Sequence, residues 1–326
     1  MKKFSRILVG IGPHDAELHA ATLGARLASG AGATLELFTP VYNSQISLAH
    51  FESRQSLQHA REILVERHRE RLAAHVTGLG FDGPVECHAA WDHPVEEAYI
   101  RRVLERGADL LVVALPAGPA GGRPLSAAQW QLVRHCPSAV LLTRGGAWRD
   151  RPTVVAAIDP VGHHGRHEAL DVRILHAAGR LAESVGGTMH AFHAWQNSLR
   201  ALIGEVELPL SSALPETGTE ERHREAVYAA LAAADASPAR VAFVAGRPET
   251  ALPDYCAEAV ADVVVMGAIA RNPFGRILIG STAERVLDRL PCDLLVVKPE
   301  AFRTPVSRER WPRDEDATTI LGVPGI

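Results

Sequence analysis

The sequence predicts an α/β protein built from two tandem open-sheet, Rossmann-like and mostly parallel domains. Three observations carry that reading: the length, an internal repeat, and strands too apolar for a half-exposed sheet. At 326 residues the chain exceeds one ordinary core and suits two units of about 150 residues each. "RILVGIGP" at 6–13 is answered by "TVVAAIDP" at 153–160, each a short apolar run ending at a turn-forming proline. Runs such as "DLLVVAL" and "DVVVM" carry no polar alternation, which fits strands covered by helices on both faces.

The elements follow in order. Each opening strand leads into a helical stretch, "ELHAATLGARLASGAG" or "EALDVRILHAAGRLAESVGG", whose apolar positions recur at helical spacing and which a glycine closes. A second strand comes next, "TLELFTPVY" in one half and "TMHAFHAW" in the other. Long inserts then hold the amphipathic helices "SLQHAREILVERHRERLAAHVTGLG" and "TEERHREAVYAALAAADA". "VECHAAWDHPVEEAYIRRVLERGADLLVVAL" pairs with "VAFVAGRPETALPDYCAEAVADVVVMGA", each a strand, a Pro-led helix and a buried strand. "CPSAVLLTR" and "CDLLVVKP" close the halves, so each reads β-α-β-α-β-α-β-α-β. The expected domains are 1–146 and 150–300, with "GGAWRDRP" at 145–152 as linker and 301–326 as a loose tail that Phe302 and Trp311 could pin.

Composition narrows the function classes. A formal charge of −4 lacks the clustered Lys and Arg that a nucleic-acid backbone binder needs. The apolar run in "MKKFSRILVGIGPHD" is too short for a signal-peptide core, and no stretch approaches the roughly 20 apolar residues of a membrane helix. The reading is therefore a cytoplasmic protein with no direct nucleic-acid partner and no membrane span. Cys87, Cys136, Cys256 and Cys292 form no CxxC pair and read as small buried apolar residues.

Ligands of open parallel sheets gather beyond the carboxyl ends of the strands. "GAIARNPFGRILIGSTAE", 267–284, leaves such an end. Gly267 would admit a close backbone approach, and Gly280, Ser281 and Thr282 open a helix with inward Val286, Leu287 and Leu290, whose free N–H groups suit a phosphate. Ser281 and Glu284 also form a capping box, which explains both residues without a ligand. A Walker A loop is excluded, because Ser281 stands where its lysine should be.

The order "VVAAIDP", "GAIARNPFGRILIGSTAE" and "CDLLVVKP" resembles the universal stress protein family, whose ATP-binding members carry G-x2-G-x9-G-[ST]. The tandem arrangement, with "AAQWQLVRHCPSAVLLTR" in the first half and "CDLLVVKPEAFRTPV" in the second, resembles its two-domain E-type members over about residues 4–306. The resemblance implies ATP, with Mg2+ as companion ion, as the expected cofactor of the second half. It implies Asp159 at the adenine or ribose edge, Ala194 and Met266 beside the base, Gly267 and Ala270 beside ribose and phosphates, and Gly280, Ser281 and Thr282 on the phosphate oxygens. Ala270 replaces the family's second glycine, which puts that site in question. In the first half Gly12 stands at the acidic position, Leu115 and Pro116 follow the fourth strand, and no G-[ST] step occurs, so that site reads as lost.

Three functions follow as alternatives: a stress-response regulator that binds a nucleotide through its second domain, a carrier of an apolar or lipid-like ligand enclosed by "ALIGEVELPL", Phe274 and Ile277 to Ile279, and a slow ATP hydrolase using Arg271 and Arg276. No catalytic residue is assigned, since no nucleophile elbow or Ser-His-Asp order can be read. "HHGRH" (His163, His164, His167) is the densest histidine group, but no carboxylate or cysteine joins it at ligand spacing, so no metal site is assigned. The expected partners are a small-molecule ligand, the other domain of the same chain through the final strands "AVLLT" and "DLLVV", and a second copy as a homo-oligomer.

Overall fold

The structure, a computed structural model, describes residues 4–12, 18–46, 50–115, 125–161, 168–195, 216–268, 286 and 289–309. Two compact units divide these residues, one holding most of the first half and the other running from Trp148 to Phe302.

In the first unit the order is β1 (Arg6–Gly10), α1 (Leu18–Ala31), β2 (Thr34–Val41), α2 (Arg54–Val76), β3 (Val85–Trp91), α3 (Val95–Arg106), β4 (Leu110–Ala114), α4 (Ala127–His135) and β5 (Ala139–Thr143). The strands lie parallel in the order β3-β2-β1-β4-β5. The second unit repeats the scheme with β6 (Thr153–Ala157), α5 (Glu168–Ser184), β7 (Thr188–Trp195), α6 (Glu216–Ala233), β8 (Arg240–Ala245), α7 (Pro248–Glu258), β9 (Val263–Gly267) and β10 (Asp293–Val297). Its order is β10-β9-β6-β7-β8, again parallel. Crossover helices make the parallel pairing achievable, and the strand interiors Ile7 to Val9, Leu110 to Val112, Val154 to Ala156 and Val263 to Val265 have no exposure.

The repeat extends to single hydrogen bonds. The Ile11 amide donates to the Phe38 carbonyl at 2.9 Å, and the Ile158 amide to that of Phe192 at 3.0 Å. Each fourth strand opens with an Ala-Asp pair whose carboxylate holds the start of the first strand. Asp109 Oδ2 accepts from the Ser5 and Arg6 amides at 2.7 and 3.1 Å. Asp262 Oδ2 accepts from the Thr153 amide at 2.8 Å and from Arg149 Nη2 at 2.8 Å. Burial alone would raise the Asp262 carboxyl, but the hydrogen bonds from the Arg149 side chain and backbone and from Thr153 hold it below the ordinary carboxylate range. The segment 145–152, read from sequence as a linker, packs into the second unit from Trp148 onward: the Trp148 indole donates to buried Asp293 Oδ2 at 2.8 Å.

The first unit contains charges that its apolar strands hid. Glu36, fully buried on β2, meets Arg102 Nε at 2.6 Å, Arg106 Nε at 3.1 Å and Arg6 Nη1 at 3.4 Å. Arg101, only 1% exposed on α3, forks onto the buried Asp92 carboxylate with Nε to Oδ2 at 3.0 Å and Nη2 to Oδ1 at 2.8 Å. Such pairing is what lets ionised groups stay inside a sheet protein. Cys136, Cys256 and Cys292 are buried as expected, whereas Cys87 is half-buried. The hydrogen bond with Cys292 and burial push the Cys256 thiol far up, which makes it an inert packing residue. No described helix is long and apolar enough to cross a membrane.

Candidate functional site

The carboxyl ends of β6, β7 and β9 lie side by side, because β6 pairs β7 through Ala157 and Phe192 and pairs β9 through Ala156 and Val265. Asp159 continues from β6 into this end with an exposed side chain. Its amide donates to Asp171 Oδ1 at 3.1 Å, and Asp171 sits buried in the first turn of α5. The turn after β6 is thereby fixed while the Asp159 carboxylate faces water, as an acceptor available to a bound group. Ala194 is half-buried in β7, and Met266 and Gly267 end β9. The fold therefore brings together Asp159, Ala194, Met266 and Gly267. Ala270, Gly280, Ser281 and Thr282 lie outside the described residues, as do Leu287, the capping residue Glu284, Arg271 and Arg276. Of the expected inward positions on the helix before β10, Val286 is 2% and Leu290 1% exposed.

Gly267 has a packing reason beside the close approach its sequence context suggests. A Cβ there would lie 2.6 Å from Leu170 Cδ2 and 3.1 Å from Ile174 Cδ1, so α5 packs directly against the strand end. The missing side chain makes room for a helix of the protein itself. Gly10 repeats the device in the first unit, with Tyr99 of α3 at 2.7 Å.

A histidine pair that the sequence reading did not assign stands at the same strand ends. His193 on β7 is 1% exposed, and its Nδ1 lies 3.0 Å from the Ile158 carbonyl. Its Nε2 lies 2.8 Å from Nδ1 of His223 on α6, with the rings stacked at 5.0 Å and Trp195 tilted against His223 at 6.0 Å. A carbonyl only accepts, so His193 donates from Nδ1. With one proton on each ring and that of His193 held on Nδ1, its Nε2 accepts and His223 donates from Nδ1. His223 is thereby left with its Nε2 lone pair on the opposite ring edge. Burial lowers the His223 pKa, helped by Arg222, while the Asp159 charge works to raise it. The signal in the sequence was phase: Met189, Ala191 and His193 share one face of β7, and the first two are buried.

The equivalent end of the first unit is differently furnished. Gly12 follows β1 where Asp159 follows β6, and Thr39 takes the place of His193. Ile11, Gly12, Leu18, Thr39, His68, Arg71, Leu72 and His75 line a cavity of about 20 Å³, room for a single water rather than a nucleotide. Pro116 and the loop after β4 lie outside the described residues. Outside them too are "HHGRH", "ALIGEVELPL", Phe274 and Ile277 to Ile279, and Trp311 of the tail. Phe302 is described, with Lys298 Nζ 5.8 Å from its ring centre. Among the described residues no three His, Cys, Asp or Glu side chains gather to hold a metal ion.

Comparison with known proteins matches this repeated architecture. The family model described as the universal stress protein family matches residues 3–144 and again 153–298. Universal stress protein E of Escherichia coli strain K12 is 25% identical over 312 residues, covering 94% of this chain and 98% of its own length. A Haemophilus influenzae homologue of universal stress protein E is 22% identical, covering 91% of this chain and 98% of its own. Among solved structures, a functionally unknown protein of Pseudomonas aeruginosa PAO1 superposes with a TM-score of 0.66 at 24% identity, covering 91% of this chain and 93% of that one. A universal stress protein of Archaeoglobus fulgidus DSM 4304 shares the fold at a TM-score of 0.60 and 15% identity, over 90% of this chain and 98% of that one. With both halves matched and its parallel strand order repeated, the chain belongs to the universal stress protein family, in the tandem form shared with its E-type members.

Proposed function

We propose that this protein is a cytoplasmic stress-response regulator whose second repeat binds an adenine nucleotide, ATP with Mg2+, at the carboxyl ends of β6, β7 and β9. The observation that carries the reading is Asp159. Its amide is tied to buried Asp171 and its carboxylate is exposed, which suits a fixed acceptor for a sugar hydroxyl or a base amine. In this reading the Ala194 backbone and the Met266 side chain would meet the base at the nucleoside end of the ligand. Ala270 and the helix opening at Gly280, Ser281 and Thr282 would take the ribose and phosphate end. The cavity at the equivalent strand ends of the first repeat, about 20 Å³, supports a role other than nucleotide binding there. Binding would act by its differential affinity for two conformational or assembly states of the chain, a second copy included, without chemistry on the ligand.

A second reading, a carrier of an apolar ligand, gains from Gly267, whose small size is accounted for by Leu170 and Ile174 without any nucleotide. Equilibrium calorimetry of the full chain separates the two. Saturable heat with ATP, weakened at least tenfold by Asp159→Ala, supports the first. Heat with a medium-chain fatty acid and none with ATP or AMP at millimolar concentration supports the second. A single-turnover phosphate release above the uncatalysed rate would instead mark the protein as an ATP hydrolase.

A further inference from the structure

We propose that His223 is a specificity contact of the second repeat's ligand site: its Nε2 accepts one hydrogen bond from the nucleoside part of the ligand, and acidification switches that contact off. The inference rests on the nucleotide reading above and assigns a residue outside it.

The argument begins at the Ile158 carbonyl. That oxygen fixes His193 with its proton on Nδ1, and His193 Nε2 then fixes His223 with its proton on Nδ1. The proton order along the chain leaves His223 one role at its outer edge, that of acceptor. Ile158 is also the residue before Asp159, so the relay starts at the very turn that presents the carboxylate. Asp159 is near enough for its charge to act on His223. An acceptor nitrogen in reach of an acceptor carboxylate suits a ligand part rich in neutral donors, a ribose with its hydroxyls or a purine with an exocyclic amine. Inorganic phosphate, which offers mainly acceptors near neutral pH, would gain nothing from it.

Protonation reverses the contact. With a proton on Nε2, His223 keeps its bond to His193 and becomes a donor at its outer edge, where the ligand also donates. Among the described residues the following titratable and charged groups surround it. His193 faces it from β7, Asp159 from the segment after β6, and Arg222 precedes it on α6. Glu220 and Arg224 flank it on the same helix and pair with one another at 2.7 Å. Burial and Arg222 keep the ring neutral near pH 7, so the acceptor is present at neutral pH and is withdrawn as pH falls through the His223 pKa. Because that pKa lies below the ordinary value of 6.5, the loss of affinity between pH 7.5 and 5.5 is bounded at about tenfold.

The test uses the full chain, with calorimetry of ATP and of adenosine at pH 7.5 and 5.5, for wild type and His223→Gln. Glutamine places an acceptor oxygen near the Nε2 position and does not titrate, and circular dichroism checks that each variant is folded. Wild type is expected to lose affinity on acidification, within the tenfold bound, while His223→Gln stays within twofold across the same range. Inosine triphosphate and 2′-deoxy-ATP identify the donor, since only the analogue lacking it will show the reduced pH response. ATP binding that responds equally to pH in both proteins, or in neither, overturns this inference and leaves the nucleotide reading standing. No heat from ATP or adenosine at either pH ends both.

Discussion

Replacing Arg101 by methionine should destabilise the first unit far more than the loss of an exposed ion pair would. Arg101 is 1% exposed and Asp92 3% exposed. The guanidinium satisfies Asp92 through both carboxylate oxygens, the His93 carbonyl at 3.0 Å and Glu97 Oε2 at 2.9 Å. Methionine fills most of the volume and none of these bonds. It leaves the Asp92 charge inside the protein without its main compensating cation, and breaking a buried pair from one side costs about 3–5 kcal/mol. For a unit of this size that corresponds to a fall in melting temperature on the order of 10 °C. The assay is urea and thermal unfolding followed by hydrogen exchange of the β1 to β5 amides, which reports the first unit separately from the second. The double variant Arg101→Met with Asp92→Asn removes the buried charge as well and should recover at least half of the loss. The reasoning is refuted if Arg101→Met costs less than about 1 kcal/mol, the scale of an exposed pair, or if the two substitutions add without coupling.

Other outcomes follow from the second unit. Trp148→Phe removes the indole donor to buried Asp293 and should cost about 1.5–3 kcal/mol, the range for hydrogen bonds to a charged group, read from the urea midpoint. Gly267→Ala forces a Cβ against Leu170 and should destabilise by about 1–3 kcal/mol, with Leu170→Ala in the same chain restoring part of it. Asp262 is held below its ordinary pKa, so its contribution is fully present above the unfolded value and lost as pH falls through the folded one. Asp262→Asn should therefore lower stability at pH 7 and flatten the fall in stability below about pH 4, the unfolded carboxylate range, as measured by urea unfolding across pH.

The fold was legible because its signals are local. Apolar runs such as "DVVVM", glycines closing helices and a doubled order of elements each act within a few residues of themselves. What stayed hidden depends on partners far apart in the chain. Glu36 on "TLELFTPVY" looks like a misplaced charge until Arg102 and Arg106 arrive from a helix after the third strand. The linker reading of 145–152 missed that Trp148 and Arg149 find Asp293 and Asp262 well over a hundred residues later. Within the candidate site, Asp159, Ala194, Met266 and Gly267 were placed together from the family resemblance, while the packing of Leu170 where a Gly267 side chain would go was not legible. His193 and His223 escaped because one histidine in a strand and one in a charged helix carry no spacing that links them. Their relation exists only once β7 and α6 are packed.

The most direct measurement is a crystal structure of the full chain grown with ATP and Mg2+. The account predicts ligand density at the carboxyl ends of β6, β7 and β9, with a ribose or base donor on the Asp159 carboxylate and the base against Ala194 and Met266. A hollow filled by protein side chains at saturating ATP, or nucleotide bound away from Asp159, would contradict it.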